Sequence, residues 1–202
     1  MSLRRAYTLW APVYDLAVDL ATREPRRRSL QRLPADSGQV LLIGVGTGLD
    51  IPHLPRGPRY TGVDLTPAML ARARRRAARH DLAIALEEAD AHRLPYADRQ
   101  FDAIVMHLIV AVVPDPARAL AEAARVLRPG GRLLILDKFL APGQRAPLRR
   151  AASLLLRHLA TRTDVVFEDL LAAVPELTLV DDRPAMAGGW FRHIELEKRH
   201  VA

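Results

Sequence analysis

Short apolar runs recur along the chain and are separated by segments with helical patterning. The first run, Val40-Leu41-Leu42-Ile43, is apolar on both faces, which is typical of a central strand in a parallel sheet. Six further strands are predicted over residues 60–64, 82–87, 101–107, 132–136, 177–181 and 190–197. The last two of these are candidate closing strands, and strands that alternate with helices predict a mostly parallel sheet.

Helices are predicted between these strands. Residues up to about 32 are expected to be helical, with breaks at Pro12 and Pro25. Thr66-Pro67 suits the N-cap and first position of a helix that runs to about residue 80, and Asp115-Pro116 begins another. A long helical region is predicted over about 144–173. Alternating strands and helices indicate right-handed crossovers, and ligands then bind at the carboxyl ends of the strands, near the reversal of strand order.

Composition narrows the class of protein. A chain of 202 residues, half apolar and 26% charged, suits one soluble α/β domain. The longest apolar stretch, residues 103–113, is interrupted by His107 and is too short to span a bilayer, and the N-terminus lacks the apolar core of a secretory signal. The absence of cysteine excludes disulfides, thiolate metal sites and catalysis by a cysteine nucleophile. We expect a cytoplasmic protein.

The strong positive charge has two interpretations. The net charge is +7, and of the 30 basic residues only Lys138 and Lys198 are lysines. A basic surface favours nucleic acid or an anionic membrane. Arginine in place of lysine, together with abundant alanine, is equally typical of codon bias.

A glycine loop, Gly44-Val45-Gly46-Thr47-Gly48, follows the first strand. Glycine lets the backbone approach a ligand closely and tolerates positive φ. The spacing is not that of the dinucleotide fingerprint, whose third glycine would stand at Leu49, and no Gly-Lys-Ser/Thr follows for a phosphate loop. Asp64 ends the next strand, where a carboxylate can accept hydrogen bonds from ribose hydroxyls, and Asp90 follows the third, where it could accept from an adenine amine. Asp64 as a solvated strand-end group and Asp90 as a turn former are the alternatives.

Five segments together resemble the class I methyltransferases. They are residues 40–48 with the glycine loop, 61–70 ending in Thr66-Pro67-Ala68-Met69-Leu70, Ala89-Asp90-Ala91 with Leu94-Pro95, Phe101-Asp102, and 125–131 with Arg128-Pro129-Gly130-Gly131. The resemblance extends from about residue 10 to 140. It implies an α/β, Rossmann-like class I methyltransferase fold: a seven-stranded, mostly parallel sheet with an antiparallel last strand and helices on both faces. The chain is then one domain, with an N-terminal helical cap over 1–35, a cofactor-binding core over 36–140, and an amphipathic helix and closing strands over 141–202.

The resemblance also implies an enzyme that transfers a methyl group from S-adenosylmethionine and releases S-adenosylhomocysteine. The loop would hold the methionyl part of this donor, Asp64 its ribose, and Asp90 its adenine with the backbone of Ala91. The expected donor-contacting residues are Gly44, Gly46, Thr47, Gly48, Asp64, Leu65, Asp90, Ala91 and Met106. The family usually carries an acid two residues before the first glycine. Leu42 stands there, so the contact which that acid supports has to come from another residue.

The acceptor pocket is expected from the N-terminal segment, the loop after the fourth strand and the region after the fifth. Trp10-Ala11-Pro12-Val13-Tyr14-Asp15 resembles the opening of lipid and quinone methyltransferases, and the short length and Val112-Val113-Pro114-Asp115-Pro116 look most like the small bacterial phosphatidylethanolamine N-methyltransferases. The aromatic faces of Tyr7, Trp10 and Tyr14 could hold a methylated ammonium by cation–π attraction. Trp10 could equally pack the cap.

Three residues are candidates for catalysis. An amine acceptor must lose a proton before it attacks, and Tyr14 and His107 are placed to help, while Asp15 could orient Tyr14 or meet a cationic headgroup. A histidine within an apolar strand is also a common core residue. No carboxylate cluster suggests a metal site.

A basic amphipathic segment over 147–159 bears on the setting of the reaction. Leu148, Leu155 and Leu159 share one helical face with alanines, while Arg149, Arg150 and Arg157 share the other. Such a helix can lie on an anionic bilayer, or it can pack on the core with a solvated arginine face.

The sequence is compatible with several functions. The first is N-methylation of phosphatidylethanolamine towards phosphatidylcholine by a cytoplasmic protein peripheral on the inner face of the membrane, with no obligate protein partner. The others are methylation of a quinol or other hydrophobic small molecule, an RNA methyltransferase, and a donor-binding regulator without activity. No RNA module and no Asn/Asp-Pro-Pro-Tyr motif accompanies the basic charge.

Overall fold

Seven strands form one sheet in the computed structural model, which describes residues 19–140 and 165–200. The strands are β1 (Gln39–Ile43), β2 (Arg59–Asp64), β3 (Ile84–Glu88), β4 (Phe101–His107), β5 (Leu127–Lys138), β6 (Leu177–Met186) and β7 (Phe191–Lys198). Their order across the sheet is β3-β2-β1-β4-β5-β7-β6. Strands β1 to β5 pair in parallel, and β7 runs antiparallel to both of its neighbours. The predicted mostly parallel sheet with an antiparallel last strand is confirmed.

Four α-helices belong to the described residues: α1 (residues 19–30), α2 (Pro67–Arg79), α3 (Pro116–Val126) and α4 (Phe167–Ala172). Proline in the first turn starts α2 and α3, because a proline there loses no helical hydrogen bond. Asp115 adds a side-chain cap, since its Oδ1 accepts from the backbone N of Arg118 at 3.0 Å. No helix of the described part is long and apolar enough to cross a membrane.

The structure corrects the expected break at Pro25, which lies inside α1. Proline lacks an N–H and usually disrupts a helix interior. Two polar contacts hold this part of α1. Arg26 contacts Asp50, beyond the glycine loop, and His193 Nε2 of β7 contacts the carbonyl of Pro25 itself at 2.9 Å. Pro12 and residues 141–164 lie outside the described residues. The prediction of one helical region over about 144–173 is wrong at its end, because Val166 is extended and pairs with Leu140, and a separate short helix, α4, follows it.

The central strands β1, β4 and β5 are mostly apolar and buried because they pack against helices on both faces of the sheet. On one face Leu41, Ile104 and Ile135 belong to a core that includes α3, and on the other Leu42, Val105 and Leu134 pack in a second core with α1 and α2. Side chains alternate between faces along each strand, so neighbouring residues serve different cores. The order of strands reverses between β1 and β4, and the carboxyl ends of these two strands lie side by side. This is where α/β sheets bind their ligands.

Candidate functional site

The glycine loop leaves β1 at this reversal with three residues in the left-handed region. The φ angles of Gly44, Gly46 and Gly48 are 71°, 54° and 81°. Residues with a Cβ adopt such angles only with strain. The three glycines therefore set the course of the backbone at the end of β1.

The glycines differ in what surrounds them. A Cβ on Gly44 would lie 2.7 Å from Ile109, and one on Gly48 would lie 2.6 Å from Ile51 and 3.2 Å from the backbone of Ala73. These two positions are closed by the protein's own packing. A Cβ on Gly46 would meet only the carbonyl of Gly44, at 3.9 Å, among the described atoms. Gly46 is thus the point where a ligand can approach the loop, which fits the expected donor.

Hydrogen bonds from β2 and α2 hold the loop in shape. The N–H of Val45 donates to the carbonyl of Val63 at 2.9 Å, and that of Gly46 donates to Asp64 Oδ2 at 3.0 Å. From α2, Arg76 Nη1 donates to the carbonyl of Thr47 at 2.5 Å. The conformation of the loop is therefore supported by groups of the protein itself.

Asp64 lies at the end of β2, directly beside the loop. Its Oδ2 accepts from Gly46 and its Oδ1 accepts from the N–H of Thr66 at 2.9 Å. A carboxylate has about four lone-pair sites, so two acceptor positions remain for hydroxyl groups. Leu65 follows with its side chain 66% exposed, which is unusual for a large apolar residue. The two residues offer a polar and an apolar surface next to each other.

Asp90 lies just after β3, whose last residue, Glu88, is paired with Asp64. Its Oδ1 accepts from the backbone N–H of His92 at 2.9 Å and from His92 Nδ1 at 2.7 Å. The backbone hydrogen bond, and then the ring, lower the pKa of Asp90. Oδ1 of Asp90 thus stabilises a turn, and Ala91 is buried beside it. The contact of Asp90 with adenine stays a prediction.

His107, at the end of β4, is buried in a polar cluster. Its Nδ1 lies 2.7 Å from Asp50 Oδ1, and its Nε2 lies 2.9 Å from Ser29 Oγ. Arg26 Nη1 donates to the same Asp50 oxygen at 2.8 Å. Both ring nitrogens of His107 are thereby engaged within the protein. Met106, the preceding residue, is fully buried in the core that includes α3.

Burial by itself would raise the pKa of Asp50, but the adjacent Arg26 and His107 outweigh it and hold that pKa well below its usual range. Asp50 is therefore an ionised carboxylate inside the protein. Such a charge is stable only with partners of this kind.

The loop after β4 is fixed by a second buried carboxylate, Asp137 at the end of β5. Its Oδ2 accepts from the N–H of Ala111 at 3.0 Å and its Oδ1 from that of Lys138 at 2.8 Å. Burial raises the pKa of Asp137 despite these hydrogen bonds. The loop begins at Leu108, whose φ is 59°, and its next residue, Ile109, lies against Gly44.

The structure brings the loop glycines, Thr47 and Asp64 together, with Leu65 next in the chain and Asp90 on the neighbouring strand end. Tyr14 and Asp15, as well as Tyr7, Trp10 and the segment 147–159, lie outside the described residues, and their roles stay predictions. Within the described part, no group of three or more acidic or histidine side chains could hold a metal ion.

Sequence reasoning missed the side chains that support the site: Asp50, Arg26, Arg76 and Asp137. Asp50 had a faint signal, since it is an acid two residues beyond the last glycine of the loop. Arg76 is one of several arginines on α2, and nothing in its local pattern marks it as the one that reaches Thr47.

Residues 41–135 match the family model described as "Methyltransferase domain". The chain is 34% identical over 201 residues to a phosphatidylethanolamine N-methyltransferase of Cereibacter sphaeroides, and the match covers 98% of both chains. It is 38% identical over 139 residues to a demethylmenaquinone methyltransferase of Deinococcus radiodurans, which covers 67% of this chain and 57% of that protein.

Solved structures agree at the level of the fold. A chain in the complex of the Haloferax volcanii Trm112 methyltransferase activator with a methyltransferase aligns with a TM-score of 0.77 and 19% identity, covering 100% of this chain and 99% of that one. Geranyl diphosphate methyltransferase in complex with S-adenosylmethionine aligns with a TM-score of 0.69 and 18% identity, covering 87% and 84%. The chain belongs to the S-adenosylmethionine-dependent class I methyltransferases, as shown by its family match, by the relative that it matches over nearly its whole length and by its strand order.

Proposed function

We propose that this methyltransferase N-methylates the amino headgroup of phosphatidylethanolamine, towards phosphatidylcholine, at the cytoplasmic face of the membrane. The observation that carries the proposal is the 34% identity to a phosphatidylethanolamine N-methyltransferase over 98% of both chains. Such coverage includes the N-terminal and post-β5 regions, from which the acceptor pocket is expected.

The exposed apolar residues support a lipid acceptor. Five large apolar side chains are exposed in the described part. Leu65 is assigned to the adenine of the donor, and Val112 follows β4 at the carboxyl edge of the sheet. Leu20, a third, lies at the start of α1, six residues before Arg26, which contacts Asp50 at the same edge. Apolar side chains around a site favour a hydrophobic substrate or a membrane surface.

The residues around the loop have distinct roles in this proposal. When bound, the donor would supply an electrophilic methyl group on a sulfonium. The carbon–sulfur bond breaks as the bond to the acceptor nitrogen forms, which leaves a neutral thioether. Gly46 lets the donor approach the loop, and Asp64 accepts hydrogen bonds from its ribose. Leu65, Asp90 and Ala91 line the adenine site. The loop fixes the direction from which the acceptor reaches the methyl group. Met106 is buried and would contribute through the shape of the core rather than through an exposed contact.

The amine must lose a proton before it can attack, because an ammonium with a pKa near 10 has no lone pair at neutral pH. His107 is a poor acceptor for that proton, since its nitrogens are already bonded to Asp50 and Ser29. We therefore assign proton removal and headgroup contact to Tyr14 and Asp15 of the N-terminal segment, and to His107 the support of α1 through Ser29. Exclusion of water by an apolar pocket would favour the neutral amine as well.

Methylation of a quinol is the second candidate. It is favoured by the 38% identity to a demethylmenaquinone methyltransferase, although that match covers only 57% of that protein. A quinol and a phospholipid both present a polar nucleophile on a hydrophobic body. Exposed apolar residues at the carboxyl edge of the sheet are therefore compatible with either substrate.

One preparation of the purified protein can distinguish the two candidate functions. Purified protein is incubated with the donor and either phosphatidylethanolamine vesicles containing phosphatidylglycerol or detergent-dispersed demethylmenaquinol, and the products are resolved by mass spectrometry. We expect mono-, di- and trimethylated phosphatidylethanolamine, and at limiting donor about fivefold less product, or lower still, with Asp64→Ala. Methylation of the quinol without any methylated phospholipid would overturn the proposal in favour of the second candidate.

A further inference from the structure

Five buried polar side chains connect α1 to the glycine loop and to β4. They are Thr22, Arg26, Ser29, Asp50 and His107, each no more than 7% exposed. Arg26 Nε donates to Thr22 Oγ1 at 3.1 Å and Arg26 Nη1 to Asp50 Oδ1, while His107 bridges Asp50 and Ser29. Thr22, Arg26 and Ser29 are spaced four and three residues apart, so they share one face of α1. We call these five residues the Asp50 cluster.

The cluster lies at the exit of the loop. Asp50 follows Gly48 by two residues, and its backbone caps the short 3-10 turn Ile51–His53. Ile51 is the residue whose side chain closes Gly48. Any displacement of Asp50 would therefore move the turn that packs against the loop.

Two residues before the first glycine of the loop, the chain carries Leu42 instead of an acid. Leu42 is 1% exposed and packs with Leu30 and Leu33 in the core beneath α1. The buried, ionised carboxylate on the α1 side of the sheet comes instead from Asp50. The other anchors of the loop, Val63, Asp64 and Arg76, all belong to β2 and α2.

We propose that Asp50, held by Arg26 and His107, is the positioning group that shapes the glycine loop for the amino-acid end of the methyl donor. Asp50 fixes α1 and the end of β4 against the loop exit, so the loop does not have to be ordered when the donor binds. Pre-ordering of this kind raises affinity because less conformational entropy is lost on binding. The inference rests on donor binding alone and is independent of the acceptor.

The test uses two ligands that share their nucleoside. S-adenosylhomocysteine carries the amino-acid end, and 5′-methylthioadenosine lacks it. For Asp50→Asn, calorimetry should show at least tenfold weaker binding of S-adenosylhomocysteine and binding of 5′-methylthioadenosine within twofold of the wild type. Equal weakening of both ligands, or no weakening of either, would overturn the proposal.

A matched control separates positioning from general stability. Arg32, just after α1, also contacts the sheet, through Glu195 at 2.8 Å and Asp181 at 3.0 Å, but these partners lie on β7 and β6, which β4 and β5 separate from β1 and its loop. Arg32→Gln should lower the melting temperature and leave both affinities within twofold. If Asp50→Asn does not fold, His107→Asn is compared with Arg32→Gln in the same way. Because no acceptor is present, a failure here is distinct from a failure of the phospholipid assignment.

Discussion

Replacement of Gly46 by alanine tests where the donor meets the protein. The φ of Gly46 is 54°, and the nearest described atom to an added Cβ would be the carbonyl of Gly44 at 3.9 Å. The new methyl group therefore collides with no atom of residues 19–140 and 165–200. It projects into the space through which a ligand would approach the loop.

The size of the effect follows from two contributions. A residue with a Cβ in the left-handed region is destabilised by about 1–2 kcal/mol. Unfolding of a domain requires roughly 5–15 kcal/mol, so Gly46→Ala should remain folded. A donor in van der Waals contact with the loop would overlap the methyl group, and we expect affinity to fall at least tenfold, which is about 1.4 kcal/mol or more.

Two further glycines serve as controls. Gly188 has a φ of 64° and no described atom within 4 Å of its Cβ position, so Gly188→Ala should show the same strain with unchanged donor affinity. Gly48→Ala adds overlap with Ile51 and Ala73, and should lower the free energy of unfolding by about 2–5 kcal/mol in total.

Urea denaturation measures the stabilities, and calorimetry with S-adenosylhomocysteine measures the affinities. If Gly46→Ala binds S-adenosylhomocysteine as the wild type does, the donor does not approach this part of the loop and the reasoning is refuted.

Two other variants test the site and its support. Asp64→Ala should weaken donor binding by about 1 kcal/mol or more, because it removes the acceptor of the ribose hydroxyls and of the Gly46 N–H; unchanged affinity in calorimetry would refute this placement of the ribose. Burial lowers the pKa of His193, so the folded protein binds its proton less readily than the unfolded chain, and stability is lost as pH falls below about 6.5 towards that lowered pKa. Urea titrations from pH 7.5 to 5 should show a shallower loss for His193→Gln than for the wild type, and parallel curves would contradict the assignment.

The central half of the fold could be predicted because its signals are local. The apolar run before Gly44 and the strand over 101–107 require only period and composition, and the structure has strands at Gln39–Ile43 and Phe101–His107. Proline at the start of α2 and α3 is also a local signal. Predictions were weaker where pairing decides the length of a strand. β5 begins at Leu127 because that residue pairs with Phe101 of β4, and β6 extends to Met186 because it pairs with β7 over its whole length.

The residues of the candidate donor site could be predicted to lie together for the same reason. The spacing of the glycines is a property of the chain, and it follows from the positive φ angles that the loop adopts. The position of Asp64 at the end of the next strand needs only the rule that parallel strands end at one edge. What the pattern did not reveal is that Gly44 and Gly48 are required by packing, whereas Gly46 is open to a ligand.

The sequence by itself determined the sheet, the loop and the class of ligand, because periodicity and spacing extend over a few residues at a time. Only the tertiary structure decided what His107 does. Its partners, Asp50 and Ser29, lie 57 and 78 residues away, and no local pattern encodes such a pairing. The same holds for Arg26, 24 residues from Asp50. A histidine that is a candidate base in the sequence becomes, once the chain is folded, part of a buried cluster, because ionised Asp50 can be buried only with donors around it.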